Sequence, residues 1–113
     1  MFIFNRKKKE NLFEIKYEMS SGIPFKWEHE IEDKEICEFV KKEVTGEKTK
    51  EPICGGPIEI TYYFKGLKEG TTKIIFKYIN FADNYVSEIN EYQISVDKEL
   101  IITLISKEEK RMN

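Results

Sequence analysis

Few side chains in this sequence are suited to bond-breaking chemistry. Two cysteines, Cys37 and Cys54, and one histidine, His29, are the only thiols and the only imidazole. A nucleophilic cysteine needs an adjacent base and surroundings that lower its pKa. His29 sits in the run Phe25 to Ile31, at the same parity as Phe25, Trp27 and Ile31. That spacing places it on the inner face of a strand or at a strand end, as a structural side chain rather than a base. The same three residues fall one short of the four ligands of a structural zinc site, and their spacing matches no paired-ligand motif. The sequence has no Gly-rich strand-to-helix phosphate loop and no Gly-x-Ser-x-Gly elbow. Glu28, Glu30, Glu32, Asp33, Glu35 and Glu38 form an acidic stretch. Glu28, Glu30 and Glu32 alternate outward as a solvated sheet face would, whereas a calcium loop would intersperse carbonyl ligands around a tight turn. The chain is therefore expected to be no enzyme, and to need no metal and no cofactor.

Composition narrows the remaining classes. With 113 residues, the chain is long enough for one hydrophobic core, and one domain over 1–113 is expected. Its core is placed at 12–105, with flexible charged ends at 5–10 and 106–113. Nineteen basic and 21 acidic residues are mixed along the sequence for a net charge of −2, so no field of one sign exists to hold nucleic acid or an anionic membrane. No apolar run approaches a membrane span, and Met1 to Phe4 is too short for a signal-peptide core. Localisation is left between cytoplasmic and, if a leader has been removed, secreted. Two cysteines do not make a disulfide scaffold, which leaves the redox compartment and a Cys37–Cys54 bond open. The oligomeric state is also left open.

What positions any functional residue here is β-structure, because the hydrophobic period is two rather than 3.6. Phe13, Ile15, Tyr17 and Met19 alternate with Glu14, Lys16, Glu18 and Ser20. Phe25, Trp27, His29 and Ile31 repeat the pattern, as do Ile58 to Lys65, Lys73 to Tyr78 and Tyr92 to Val96. One buried and one wet face per strand is what such alternation requires. Turn residues punctuate the strands at Ser20-Ser21-Gly22, Asp33-Lys34, Gly66, Glu69-Gly70, Asp83-Asn84 and Asp97-Lys98. Short strands so spaced predict a β-sandwich or barrel. Leu100 to Ile105 is apolar almost throughout and reads as a strand covered on both sides, with Phe2 to Phe4 as a possible pairing partner. Glu35 to Val44 breaks the alternation, so helix and strand compete there, with strand preferred. Thr45 to Pro57 is a long polar connection, of a length that usually marks a functional or mobile loop.

On a rigid β scaffold the binding residues commonly lie in the loops. Ser20, Ser21, Gly22 and Ile23 combine small hydroxyls, a flexible glycine and an exposed apolar tip. Cys54, Gly55 and Gly56 allow positive φ and close approach of backbone to a partner. Asn80 and Phe81 end a strand with an aromatic that need not be buried.

The order of these features resembles the chagasin family of cysteine-protease inhibitors. That family carries an Asn-Pro-Thr-Thr-Gly loop leading to a Trp, a Gly-x-Gly-Gly loop and an Arg-Pro-Trp loop. Met19 to Gly22 followed by Trp27 stands in for the first, Ile53 to Gly56 for the second, and Ile79-Asn80-Phe81, after Lys68 to Tyr78, for the third. The similarity spans Phe13 to Val96. It implies an all-β, immunoglobulin-like antiparallel β-sandwich whose three loops enter the active-site cleft of a papain-family cysteine protease. Ile23 and Phe81 would be the anchors, Gly55 and Gly56 would let backbone approach the protease, and Trp27 would belong to the core. The rival reading is an immunoglobulin-like interaction module without inhibitory activity, since Asn-Pro and Arg-Pro-Trp are not present here.

Overall fold

The computed structural model describes residues 12–20, 22–46 and 57–111. Seven strands account for nearly all of them: β1 (Phe13–Ser20), β2 (Phe25–Ile31), β3 (Cys37–Gly46), β4 (Pro57–Gly66), β5 (Gly70–Asn80), β6 (Tyr85–Val96) and β7 (Ile102–Arg111). They form two antiparallel sheets, one in the order β1-β4-β3 and the other in the order β2-β5-β6-β7. This is an immunoglobulin-like β-sandwich, and the period-two segments lie where the alternation requires them. Ile15, Ile60, Tyr62, Phe64, Ile74, Phe76, Ile94 and Val96 are buried between the sheets.

The core is organised around Phe76, which has no exposed surface. Its ring meets Tyr17, Tyr62 and Phe64 from the facing sheet at centroid distances of 5.1, 4.8 and 6.1 Å. From its own sheet it meets Trp27, His29 and Tyr92 at 6.4, 5.5 and 6.0 Å. Mostly edge-on or tilted, these contacts suit the ring quadrupole and add to the area term. A polar knot closes the same region. The hydroxyls of Tyr17 and Tyr92 are hydrogen-bonded, and the Asn90 Nδ2 donates to the Tyr17 hydroxyl and to Glu88, both at 3.1 Å. Burial is the main reason that the Tyr17 phenol lies far above its ordinary pKa, so it stays protonated.

Glu35 to Val44 is resolved as turn followed by strand, and its irregular pattern has a local cause. Phe39 faces Phe64 and Lys41 faces Tyr63, so Val40 is an extra residue in a β-bulge. One inserted residue reverses the parity beyond it, which is what spoils the alternation. Ile36, in the turn, packs into the core, with its Cδ1 only 2.6 Å from where a Cβ on Gly70 would lie.

The C-terminal strand corrects two expectations. Ile102 is buried, but Leu104 and Ile105 are 43% and 52% exposed, so among the described residues the apolar run is not covered on both sides. The physical reason is strand count: β7 lies outermost in a four-stranded sheet that faces one of three. Residues 106–111, expected as part of a flexible charged end, continue β7 and pair with β6 as far as Glu88↔Arg111, while their side chains stay exposed. The proposed partner Phe2 to Phe4 lies outside the described residues.

His29 faces inward as its parity requires, packed on Phe39, Tyr62, Phe64 and Phe76. Partial burial, and secondarily the Lys42 ammonium, lower its pKa from 6.5. Unfolding therefore takes up a proton once the pH falls below about 6.5, and the stability held by the neutral imidazole is lost as pH drops toward the folded value. Urea unfolding of the wild type is expected to show stability declining from pH 7 to pH 5, and His29→Gln should flatten that slope; identical slopes would contradict the assignment. Phe76→Ala is expected to cost about 3–5 kcal/mol, as for other buried aromatic truncations, and a loss below about 1 kcal/mol in the same assay would remove Phe76 from the centre of the core.

Candidate functional site

The strand ends that bound the β1–β2, β3–β4 and β5–β6 connections lie at one end of the sandwich, as strand register establishes. In the smaller sheet, Ser20 at the end of β1 faces Pro57 at the start of β4, and Gly46 at the end of β3 faces Ile58. The β1–β2 connection therefore leaves beside the β3–β4 connection. In the larger sheet, Phe25 at the start of β2 faces Asn80 at the end of β5, and Asn80 faces Tyr85 at the start of β6. Only four residues join Ser20 to Phe25, so the two sheet ends belong to one rim. Within the larger sheet a further bond extends the β2–β5 ladder into the loops: the Phe81 N–H donates to the Pro24 carbonyl at 2.9 Å.

Beneath the rim runs an aromatic stack. Phe25 lies on Tyr78 at 4.8 Å, Trp27 on Tyr78 at 4.6 Å and on Tyr17 at 3.8 Å, the last joining the two sheets. Trp27 is partly buried against the core, in keeping with its expected core role. The loops thus spring from stiff strand ends.

Individual residues depart from the sequence reading in informative ways. Ser20 and Gly22 are exposed, and Gly22 has φ 80°, a left-handed turn position that glycine adopts without strain. Ile23, expected as an exposed tip, is half-buried. Phe81 is 53% exposed. Asn80, expected as a contact residue, is 7% exposed and turned inward on its own loop. Its Oδ1 accepts from the N–H groups of Ala82 at 3.0 Å and Asp83 at 2.9 Å, an Asx-type turn that holds the 81–84 segment in shape. Asn84 completes that turn at φ 58°, which asparagine tolerates. Ser21, Cys54, Gly55 and Gly56 lie outside the described residues.

Two rim residues were missed from sequence. Pro24 supplies the carbonyl that anchors Phe81, and Tyr85 places a second large aromatic, 48% exposed, on the same edge, with its ring 6.5 Å from Phe25. A Tyr following Asp83-Asn84 was a legible signal, because a strand that opens directly after a turn begins on the rim. Cys37 is a free, buried thiol at the far end of β3, and burial, more than the neighbouring Glu38, raises its pKa to about 11. Such a thiol is inert as a nucleophile at neutral pH. No group of three or more His, Cys, Asp or Glu among the described residues is arranged to hold a metal ion.

Comparison with known proteins meets this geometry from another side. The family model described as chagasin family peptidase inhibitor I42 matches residues 6–96. Among solved structures, the chain is similar to the cysteine protease inhibitor EhICP2 from Entamoeba histolytica, with a TM-score of 0.50 and 22% identity. The match covers 61% of this chain and 61% of that one, so the chain spans about three fifths of its length. No curated protein sequence matches the chain.

Removing the Asn80 side-chain acceptor leaves two loop N–H groups unmet. Asn80→Ala is expected to cost about 1–2 kcal/mol and to speed amide hydrogen exchange at Ala82 and Asp83, while the β2–β5 amides keep their protection. Unchanged exchange at those two amides would show that Asn80 does not hold the loop.

Proposed function

The chain belongs to the chagasin family of peptidase inhibitors, and on that premise we propose that it inhibits papain-family cysteine proteases by seating the β1–β2, β3–β4 and β5–β6 connections in the active-site cleft. The family is one of inhibitors and not of enzymes. The observation that carries the reading is the 2.9 Å bond from Phe81 to Pro24, which joins the first and third connections and leaves the Phe81 ring projecting. A wedge made of loops tied to one another has little freedom left to lose on binding, and preorganisation of this kind improves affinity without adding area.

In this reading the first connection, with Ser20, Ser21 and Gly22, lies over the catalytic cysteine without presenting a scissile peptide in reactive geometry. Phe81 is the principal anchor. Tyr85 joins it in place of Ile23, whose side chain is already partly committed to the protein. Asn80 acts through Phe81 by fixing the turn. Gly55 and Gly56, lacking side chains, allow the second connection to approach the protease surface, and Cys54 lies next to them. A cleft lined by main-chain groups and apolar subsites is met by backbone and aromatic rings rather than by charge.

The rival reading, an interaction module with a different target, draws on the loop chemistry: Ile79-Asn80-Phe81 stands where the family carries Arg-Pro-Trp. One experiment separates the two. Progress curves with papain are expected to show inhibition at or below micromolar protein, and Phe81→Ala should raise the inhibition constant about 30-fold, since truncating a good anchor costs about 2 kcal/mol. Full papain activity at micromolar protein, with the sandwich intact by circular dichroism, would favour the interaction module.

A further inference from the structure

The flank of the sandwich where β2 and β3 are the outermost strands is open, and it is chemically unlike the rest of the surface. Two adjoining hollows lie there, of about 450 and 350 Å³. Volumes of this order are typical of small-molecule sites. The larger is lined by Trp27, Glu28, His29, Phe39, Lys42 and Tyr62. Four of those six are aromatic rings.

Lys42 is the anomaly. The Val40 bulge sets the parity of β3 so that Lys42 faces Tyr62, a residue 2% exposed, and the Lys42 Nζ stands 6.0 Å from the centre of that ring. A lysine at an inner-face position departs from the alternation, as Lys107 of β7 does opposite Tyr92 on the other margin, but Lys42 borders a hollow lined by aromatic rings. The carboxylates around the hollows are already matched: Glu28 by Lys26 at 3.0 Å, Glu30 by Lys77 at 3.9 Å and Glu38 by Lys65 at 3.8 Å. Among the described residues, no carboxylate lies within ion-pair distance of Lys42. The site therefore carries at its exposed side a positive charge with no carboxylate beside it, near the Tyr62 ring. A flat apolar ring bearing an anionic oxygen supplies what these walls lack. Stacking on aromatic faces takes the ring, and the ammonium takes the charge.

We propose that the hollow between β2 and β3 is a second binding site, for a small aromatic carboxylate whose ring lies among Trp27, Phe39 and Tyr62 and whose carboxylate meets Lys42. The site is on the flank of the sandwich and contains none of the loop residues of the rim, meeting the stack beneath it only at Trp27, so its test does not depend on protease inhibition. An extended peptide is the less suited occupant, because a bulge and an inward lysine are devices that blunt a strand edge against pairing.

One Trp and one His in the chain make the test direct, since the single indole N–H signal and the single imidazole both report on this hollow. The full chain is titrated with 2-naphthoate and, in parallel, with the uncharged isostere 2-naphthalenemethanol, following both signals by NMR. Saturable shifts with naphthoate are expected, with binding at least tenfold weaker for the alcohol. Lys42→Met, which keeps the length and loses the charge, should weaken naphthoate binding at least tenfold with other resonances in place, and Phe81→Ala should leave it unchanged. Shifts that grow linearly without saturation, equal affinity for the alcohol, or full binding by Lys42→Met would each overturn the proposal. So would self-association of Lys42→Met in sedimentation without any naphthoate binding by the wild type, which would make Lys42 a guard of the β3 edge and nothing more.

Discussion

The contact on which everything else depends is the closure of the two sheets around the Phe76 ring. Six aromatic neighbours, three from each sheet, surround a side chain with no exposed surface. With only 113 residues, the domain has little core to spare, and large rings bury more area per residue than aliphatic side chains. The Tyr17–Tyr92–Asn90 knot works at the same interface by a different means. It gives partners to both hydroxyls and to the Asn90 Nδ2, though not to the buried Asn90 Oδ1, and it links β1 to β6 across the two sheets. Once the sheets are locked in this relation, the positions of the loop ends follow from strand lengths.

The mismatch of three strands against four is the second organising fact. On one side it leaves β7 without a facing strand among the described residues, with Leu104 and Ile105 exposed and charged residues over the rest of its length. On the other side, β2 and β3 border an open flank with aromatic walls. Both margins carry protective chemistry. β2 alternates charged residues outward, and β3 carries a bulge and an inward lysine, so neither presents a flat apolar edge to another chain. The surface ion pairs are exposed and contribute little stability. They matter here because they consume the acidic groups around the flank and leave Lys42 over.

Rim and flank divide the surface into two regions with different physics. The rim is backbone held by backbone, with Phe81 and Tyr85 exposed and Asn80 working underneath; in the proposed function it would recognise a partner by shape and preorganisation. The flank is side chains around a hollow, and the ligand proposed for it would be recognised by ring faces and one charge. Membership of an inhibitor family speaks to the first and is silent about the second.

Much of this was legible in the amino-acid order, and the reason is periodicity. Alternation of Phe13, Ile15 and Tyr17, or of Ile58, Ile60, Tyr62 and Phe64, has one solution in which half the residues are dry, so the all-β class, the inner faces and the inward His29 followed from the chain alone. The turn punctuation located the loops, and their order pointed to the family. Tertiary packing decided the rest. Whether Leu104 is covered depends on how many strands face it, and nothing local to Leu100 to Ile105 encodes that count. The bulge at Val40 is a property of pairing with β4, so the parity of Lys42 emerges only when two strands are aligned. Asn80 reads as an exposed loop residue until the turn closes over its Oδ1, and the Pro24 carbonyl becomes an acceptor for Phe81 only when β2 and β5 pair. Local pattern specifies which face of a strand is wet; contacts between residues distant in sequence specify what each face then touches.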